Sequence, residues 1–97
     1  MADFYITDVR YDKAHARIDW VRVREDLGRD KVGPWRMVPR QFIVDLIRMG
    51  KVSFQTKTQD RNGAWKNGAS VEVYADEFLT TEGNRTEKDN LGELPEF

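Results

Sequence analysis

One stretch of this chain carries the period of an α-helix, and it lies between two clear boundary signals. Pro39 opens the run RQFIVDLIRMG, in which Phe42, Ile43, Leu46 and Met49 fall at i, i+1, i+4 and i+7, and Gly50 supplies a C-terminal stop. Ile47 widens this apolar stripe, Val44 lies off it, and Arg40 and Asp45 are expected among the few solvated positions. Most other apolar residues sit in β-branched and aromatic runs. A chain of 97 residues has material for one core, so the helix must lie as a lid on a sheet. The expected class is α+β, a small mostly antiparallel sheet or partly open barrel of about five to six strands in the order ββ(β)αβββ, with one helix packed on it.

Residues 4–11 and 16–24 flank the polar stretch Asp12-Lys13-Ala14-His15, which predicts a hairpin. Neither strand alternates cleanly. Phe4 and Ile6 have one parity and Val9 and Tyr11 the other, and Ile18 and Trp20 differ in the same way from Val21 and Val23. A register that sets Phe4 against Val23, Ile6 against Val21 and Val9 against Ile18 makes both strands change buried face near Thr7 and Trp20, through a bulge. It also sets Asp8 against Asp19, which is unfavourable.

Leu27 to Pro34 (LGRDKVGP) reads as a loop, and Trp35 and Met37 begin a short alternation that would be a third strand. After the helix, Val52, Phe54 and Thr56 share a face, and Asn62-Gly63 and Asn67-Gly68 each suit a tight turn. Val71 and Val73 start another strand, which Asp76-Glu77 turns and residues 78–81 return, with Val73 near Thr80 and Tyr74 near Leu79. One folded domain is thus expected over residues 1–81. Residues 82–97 read as an acidic C-terminal tail, disordered as far as Asn90 and ending in three spaced hydrophobes.

The available chemistry is narrow. Without cysteine there is no thiol nucleophile or iron–sulfur cluster, and one histidine cannot assemble a zinc site. His15 falls in the polar hairpin turn, where solvent is its expected surrounding, and the acids lack the spacing of a calcium loop. Gly28-x-x-x-x-Gly33 lacks the Lys-Ser or Lys-Thr of a phosphate loop. Asp8 and Asp19 would form a carboxylate pair only in the unfavourable register. No catalytic residue, metal or cofactor is expected, and the chain reads as a non-enzyme. No apolar run approaches the ~20 residues that span a bilayer. MADFYITDVRYD places acids where a secretory signal has a basic and then apolar start, so a cytoplasmic protein with no membrane partner is expected.

The segments MADFYITDVRY, WRMVPRQFIVDLIRMGK, NGAWKNG and DNLGELPEF together resemble a family of small bacterial proteins catalogued as a domain of unknown function. The resemblance runs over most of the chain, and the terminal NLGELPEF is its most specific part. It implies no known activity, cofactor or catalytic residue. The basic loop GRDKVGP departs from the family's pattern.

Two classes of partner remain. Net charge is −1, yet residues 1–51 hold eleven Lys or Arg against eight Asp or Glu, while residues 72–97 hold two against eight. Leu91, Leu94 and Phe97 need a covering surface, and full burial of a Leu or Phe contributes about 1.5–3 kcal/mol. Either they dock on their own sheet, or they meet another protein or a second copy of this chain. The leading expectation is a non-catalytic protein-interaction module, binding another protein or itself, that uses these three residues. The alternative is a nucleic-acid or small-nucleotide binding protein using an Arg and aromatic sheet face, made of Tyr5, Arg22, Arg24, Arg29, Lys31, Trp35 and Arg36.

Overall fold

The computed structural model describes residues 2–29, 31–75, 77–82, 89–92 and 94–97. Its elements are β1 (Phe4–Tyr11), β2 (Ile18–Gly28), β3 (Lys31–Val32), β4 (Arg36–Pro39), α1 (Arg40–Met49), β5 (Phe54–Gln59), β6 (Trp65–Tyr74) and β7 (Phe78–Thr81). The fold is α+β, a seven-stranded mixed sheet in the order β3-β2-β1-β5-β6-β7, with β4 also paired to β2. The sheet is open, not a closed barrel, and it has more strands than expected. The extra strand comes from the supposed loop: β2 runs on to Gly28, and Lys31–Val32 turns back against it.

β2 is the long strand around which the others assemble. β1 lines one edge, while β4 and β3 share the other. β1 and β5 are parallel, Phe4 to Ile6 lying against Phe54 to Thr56, and every other strand pair is antiparallel. β4 and β5 therefore point the same way, and α1 is the crossover between them.

The first hairpin resolves its parity problem differently from the expected register. Ile6 faces Val23, Val9 faces Val21 and Tyr11 faces Ile18, with irregularities between Ile6 and Asp8 and between Arg10 and Tyr11. Thr7 and Asp19 are the extra residues. Each bulge shifts the phase by one residue, so Ile6, Val9, Ile18, Val21 and Val23 all enter one core instead of dividing between two faces. Asp8 then lies opposite Arg22, not Asp19, which removes the carboxylate pair.

Of the two Asn-Gly pairs, only Asn62-Gly63 turns the chain, with Gly63 N–H donating to Asp60 O at 3.1 Å. Asn67-Gly68 lies inside β6 at an irregularity, where a Cβ on Gly68 would come within 2.0 Å of Thr56 Oγ1 and 3.0 Å of Thr56 O. Glycine is needed there for space. At the last hairpin the register is one residue off the expected one, Val73 facing Leu79 and Tyr74 facing Phe78.

α1 starts and stops where proline and glycine predict. Pro39 is extended, and Gly50 closes the last turn in the left-handed region, its N–H donating to Ile47 O at 2.9 Å. The helix is rolled about its axis relative to the expected stripe. Arg40, Ile43 and Val44 are buried and Ile47 is partly so, whereas Phe42 and Met49 are exposed. Arg40, expected in solvent, is held inward by Asp89. Its Nε and Nη2 donate to Asp89 Oδ2 and Oδ1 at 3.0 and 2.7 Å, and Nη2 also donates to Glu77 O.

Residues 89–92 and 94–97 belong to the fold. Leu91 and Leu94 are 2% and 8% exposed within the core, so they are not available as the partner contacts expected of them. Asn90 N–H donates to Leu79 O. Val9 N–H donates to Pro95 O, and Phe97 N–H donates to Val9 O. The last segment thereby takes the part of β1's outer edge that β5 leaves at Ile6. Where the sequence predicts a tail from residue 82 onward, the described part of that tail is packed against the domain. Residues 83–88, expected to be disordered, lie outside the described residues.

Candidate functional site

The side chains of the sheet divide between two faces. One carries the core beneath α1. The other carries Tyr5, Asp8 and Arg10 from β1, Arg22, Arg24 and Asp26 from β2, Lys57 and Gln59 from β5 and Trp65 from β6, and no described helix covers it. Trp35, just before β4, and Phe97 close over its middle.

Cations and rings interleave on this face. The Arg22 guanidinium carbon lies 4.5 Å from the centre of the Trp35 ring and 4.1 Å from that of Phe97, and Arg10 approaches the same Phe97 ring at 4.6 Å. Arg24 lies 5.2 Å from Trp65, and Lys57 Nζ is 4.0 Å from the Tyr5 ring. Rings this close attract cations through their quadrupoles and fix the plane of each guanidinium. Neither Arg22 nor Arg24 forms an ion pair with a described residue. Arg24 Nη1 donates to Gly33 O at 3.0 Å, while the Nε of both arginines is buried without a partner.

Asp26 is the acid most tightly held on this face. Gly28 N–H donates to Asp26 Oδ1 at 2.8 Å and the Tyr5 hydroxyl donates to Oδ2 at 3.0 Å. Those two bonds, with the Lys57 charge behind them, keep its carboxyl below the ordinary aspartate range. Thr7 Oγ1 donates to Asp8 Oδ1 at 2.7 Å.

Between the two indoles lies a cavity of about 310 Å³ lined by Thr7, Asp8, Arg22, Arg24, Trp35, Gln59, Trp65 and Pro95. Its volume is at the small end of ligand sites. Flat rings, guanidinium groups and a carboxylate together can stack a planar heterocycle, meet an anion and accept hydrogen bonds from the heterocycle's edge.

Of the residues that the sequence proposes for an Arg and aromatic face, Tyr5, Arg22, Arg24 and Trp35 come together here. Arg29 and Lys31 sit at the exposed β2–β3 turn, and Arg36 faces the helix side beside Val23. The face proposed from the sequence did not include Asp8, Arg10, Lys57, Gln59 and Trp65. Lys57, Gln59 and Trp65 share the face through the β5–β6 pairing of Gln59 with Trp65, which follows from the Asn62-Gly63 turn. Phe97, expected to seek a partner, joins the cation stack.

Other candidates recede. His15 is exposed in the turn, as expected, with its ring stacked on Tyr11 at 3.9 Å between centres and in contact with Glu96 Oε1 at 3.0 Å. Burial, then the charges of Glu96 and Asp89, raises the Tyr11 hydroxyl above its ordinary pKa. Among the described residues no group of three or more His, Cys, Asp and Glu could hold a metal, and no helix is long and apolar enough to cross a membrane. On the helix side, an apolar groove of about 190 Å³ is lined by Phe4, Val23, Val38, Phe42, Leu46 and Phe54 among others.

Fold and site define a small α+β domain with one helix-covered face and one open face built of alternating cations and rings. The chain belongs to the family described as "Protein of unknown function (DUF3892)", which matches residues 5–95. That span includes Arg22, Arg24, Trp35, Trp65 and most of the C-terminal return. Neither a curated protein nor a solved structure matches the chain.

Proposed function

We propose that this protein is a non-catalytic binding module whose open sheet face takes a nucleotide, either free or within a single strand. The observation that carries this reading is Arg22, set against Trp35 and Phe97 with no carboxylate partner among the described residues and beside Arg24 and Trp65. Surface arginines normally pair with acids or point into water, whereas these are oriented by rings with N–H donors to spare. Base stacking on aromatic side chains and phosphate contact with arginine are the two interactions that single-strand binders combine. Among the described residues of this face the partly or fully exposed cations Arg10, Arg22 and Arg24 stand against Asp8 and Asp26, Lys57 being buried on the Tyr5 ring, so the local balance favours an anion although the whole chain carries −1.

Fluorescence polarisation with labelled single-stranded RNA and DNA, and calorimetry with the four ribonucleoside monophosphates, test this reading at about 50 mM and 200 mM salt. Binding that weakens as salt rises is expected. No binding by any of these ligands at low salt would discard it.

A second reading keeps the expected protein-interaction module but moves its contact surface from Leu91, Leu94 and Phe97 to the apolar groove. Phe42 lines that groove at 51% exposed, and a second copy or another protein could cover it. Concentration-dependent sedimentation that Phe42→Ser abolishes would support it; a monomer at all concentrations would discard self-association.

A further inference from the structure

The cavity between Trp35 and Trp65 holds a group that phosphate binding does not require and that works against it. Asp8 is a carboxylate placed directly across the strand pair from Arg22, yet it forms no ion pair with that arginine or with any other described residue. Thr7 Oγ1 donates to its Oδ1, and no described residue donates to its Oδ2. Asp8 is half-buried in a cavity walled by indoles and guanidinium groups, so a ligand that displaces solvent from the cavity has to bring donors to this acceptor.

The donor patterns of the bases are not equivalent. A carboxylate is acceptor-only and presents two oxygens side by side. On its Watson–Crick edge, guanine offers adjacent N1–H and N2–H donors that match such a pair. Adenine and cytosine place an amino donor beside a bare ring nitrogen, and uracil flanks N3–H with two carbonyl oxygens; each sets an acceptor against a carboxylate oxygen. Resting on the binding reading above, we propose that this cavity selects guanine. Asp8 accepts from N1–H and N2–H, Trp35 or Trp65 stacks on the ring, and Arg22 and Arg24 supply donors to O6 and the phosphate. A cavity of about 310 Å³ suits one base and not a stack of them.

The test is a titration of the full chain with guanosine, inosine, adenosine, cytidine and uridine monophosphates, read by tryptophan fluorescence. A bidentate contact of this kind separates right from wrong base by roughly ten- to a hundredfold. Guanosine monophosphate should therefore bind at least about tenfold tighter than the adenosine, cytidine and uridine forms, and inosine monophosphate, which lacks N2–H, should fall between. Asp8→Asn should bring guanosine monophosphate down to the adenosine level while leaving uridine monophosphate no weaker. The inosine comparison on the unmodified chain keeps the test decisive if Asp8→Asn fails to fold. Hexauridylate with and without one guanosine distinguishes a strand from a free nucleotide as the source of the base. Equal affinity for all five nucleotides, or a guanine preference that survives Asp8→Asn, overturns guanine selection and leaves the open face as a binding surface. No binding by any of them overturns both.

Discussion

Arg40 and Asp89 form a two-bond fork, Nε to Oδ2 at 3.0 Å and Nη2 to Oδ1 at 2.7 Å, with both side chains almost wholly buried. The same carboxylate accepts from the backbone N–H of Ile18 at 3.0 Å and of Leu79 at 2.9 Å. One acid therefore ties together the first residue of α1, the start of β2, β7 and the C-terminal return. Asp89→Leu leaves a buried guanidinium without its counter-charge and two backbone donors unmet, and should destabilise the domain by about 3–5 kcal/mol. Arg40→Met with Asp89→Leu removes the stranded charge, so the pair should cost less than the sum of the single changes. Urea unfolding of the three variants checks both statements.

Gly68→Ala should destabilise by about 1–3 kcal/mol, the usual range for an overpacked site. Thr56→Ala in the same chain clears the 2.0 Å clash with Oγ1 but not the 3.0 Å approach to Thr56 O, so rescue should be partial. It also removes the acceptor of the Ala69 N–H. Thermal melts of the single and double variants read this directly.

Asp26 has its pKa lowered in the folded state, chiefly by Gly28 N–H and then by the Tyr5 hydroxyl. The stability from these bonds is therefore present above the unfolded value near 3.8 and is lost as pH falls through the lower folded value. Asp26→Asn should lower the denaturation midpoint at pH 7. The gap between variant and parent should close as pH drops through and below that range, and a gap that stays constant with pH would contradict the assignment.

Trp65→Ala should weaken oligonucleotide binding by roughly five- to a hundredfold, the range for one stacked base. Arg22→Gln should reduce both affinity and its dependence on salt. Lys31→Gln and Arg36→Gln, at the β2–β3 turn and on the helix side, should change affinity little. Equal losses at all four positions would indicate a diffuse charge effect, not a site.

Leu94→Ala removes a core side chain and should cost about 2–5 kcal/mol in the isolated protein. Met49→Ser, at an exposed helix position, should stay within about 0.5 kcal/mol. Denaturant midpoints of the two at equal concentration make the comparison.

The limits of α1 and the order of the elements apart from β3 were legible because each rests on local chemistry: Pro39 and Gly50 bound the helix, and Asn62-Gly63 bounds the β5–β6 hairpin. The broken parity at Ile6 and Val9 signalled a bulge, but a bulge that keeps a face and one that changes it look alike in sequence. Arg40 defeated the reading of the helix face, since an inward arginine is sensible only once Asp89 is known to meet it. At the site, the alternating Arg22 and Arg24 were visible because they are near in sequence. Asp8, Trp65 and Phe97 reach them through a bulged register and two long-range pairings, which depend on tertiary packing.

β1's outer edge is completed in two instalments, by Phe54 to Thr56 at one end and by Pro95 to Phe97 at the other. Until the second arrives, Val9 leaves a backbone donor and acceptor bare beside an apolar surface, the kind of exposed strand that neighbouring chains can pair with. Closing that gap joins residues almost the whole length of the chain apart, and such closures slow folding. A copy in which the C-terminal segment has not found its slot would keep that edge open to pairing with its neighbours.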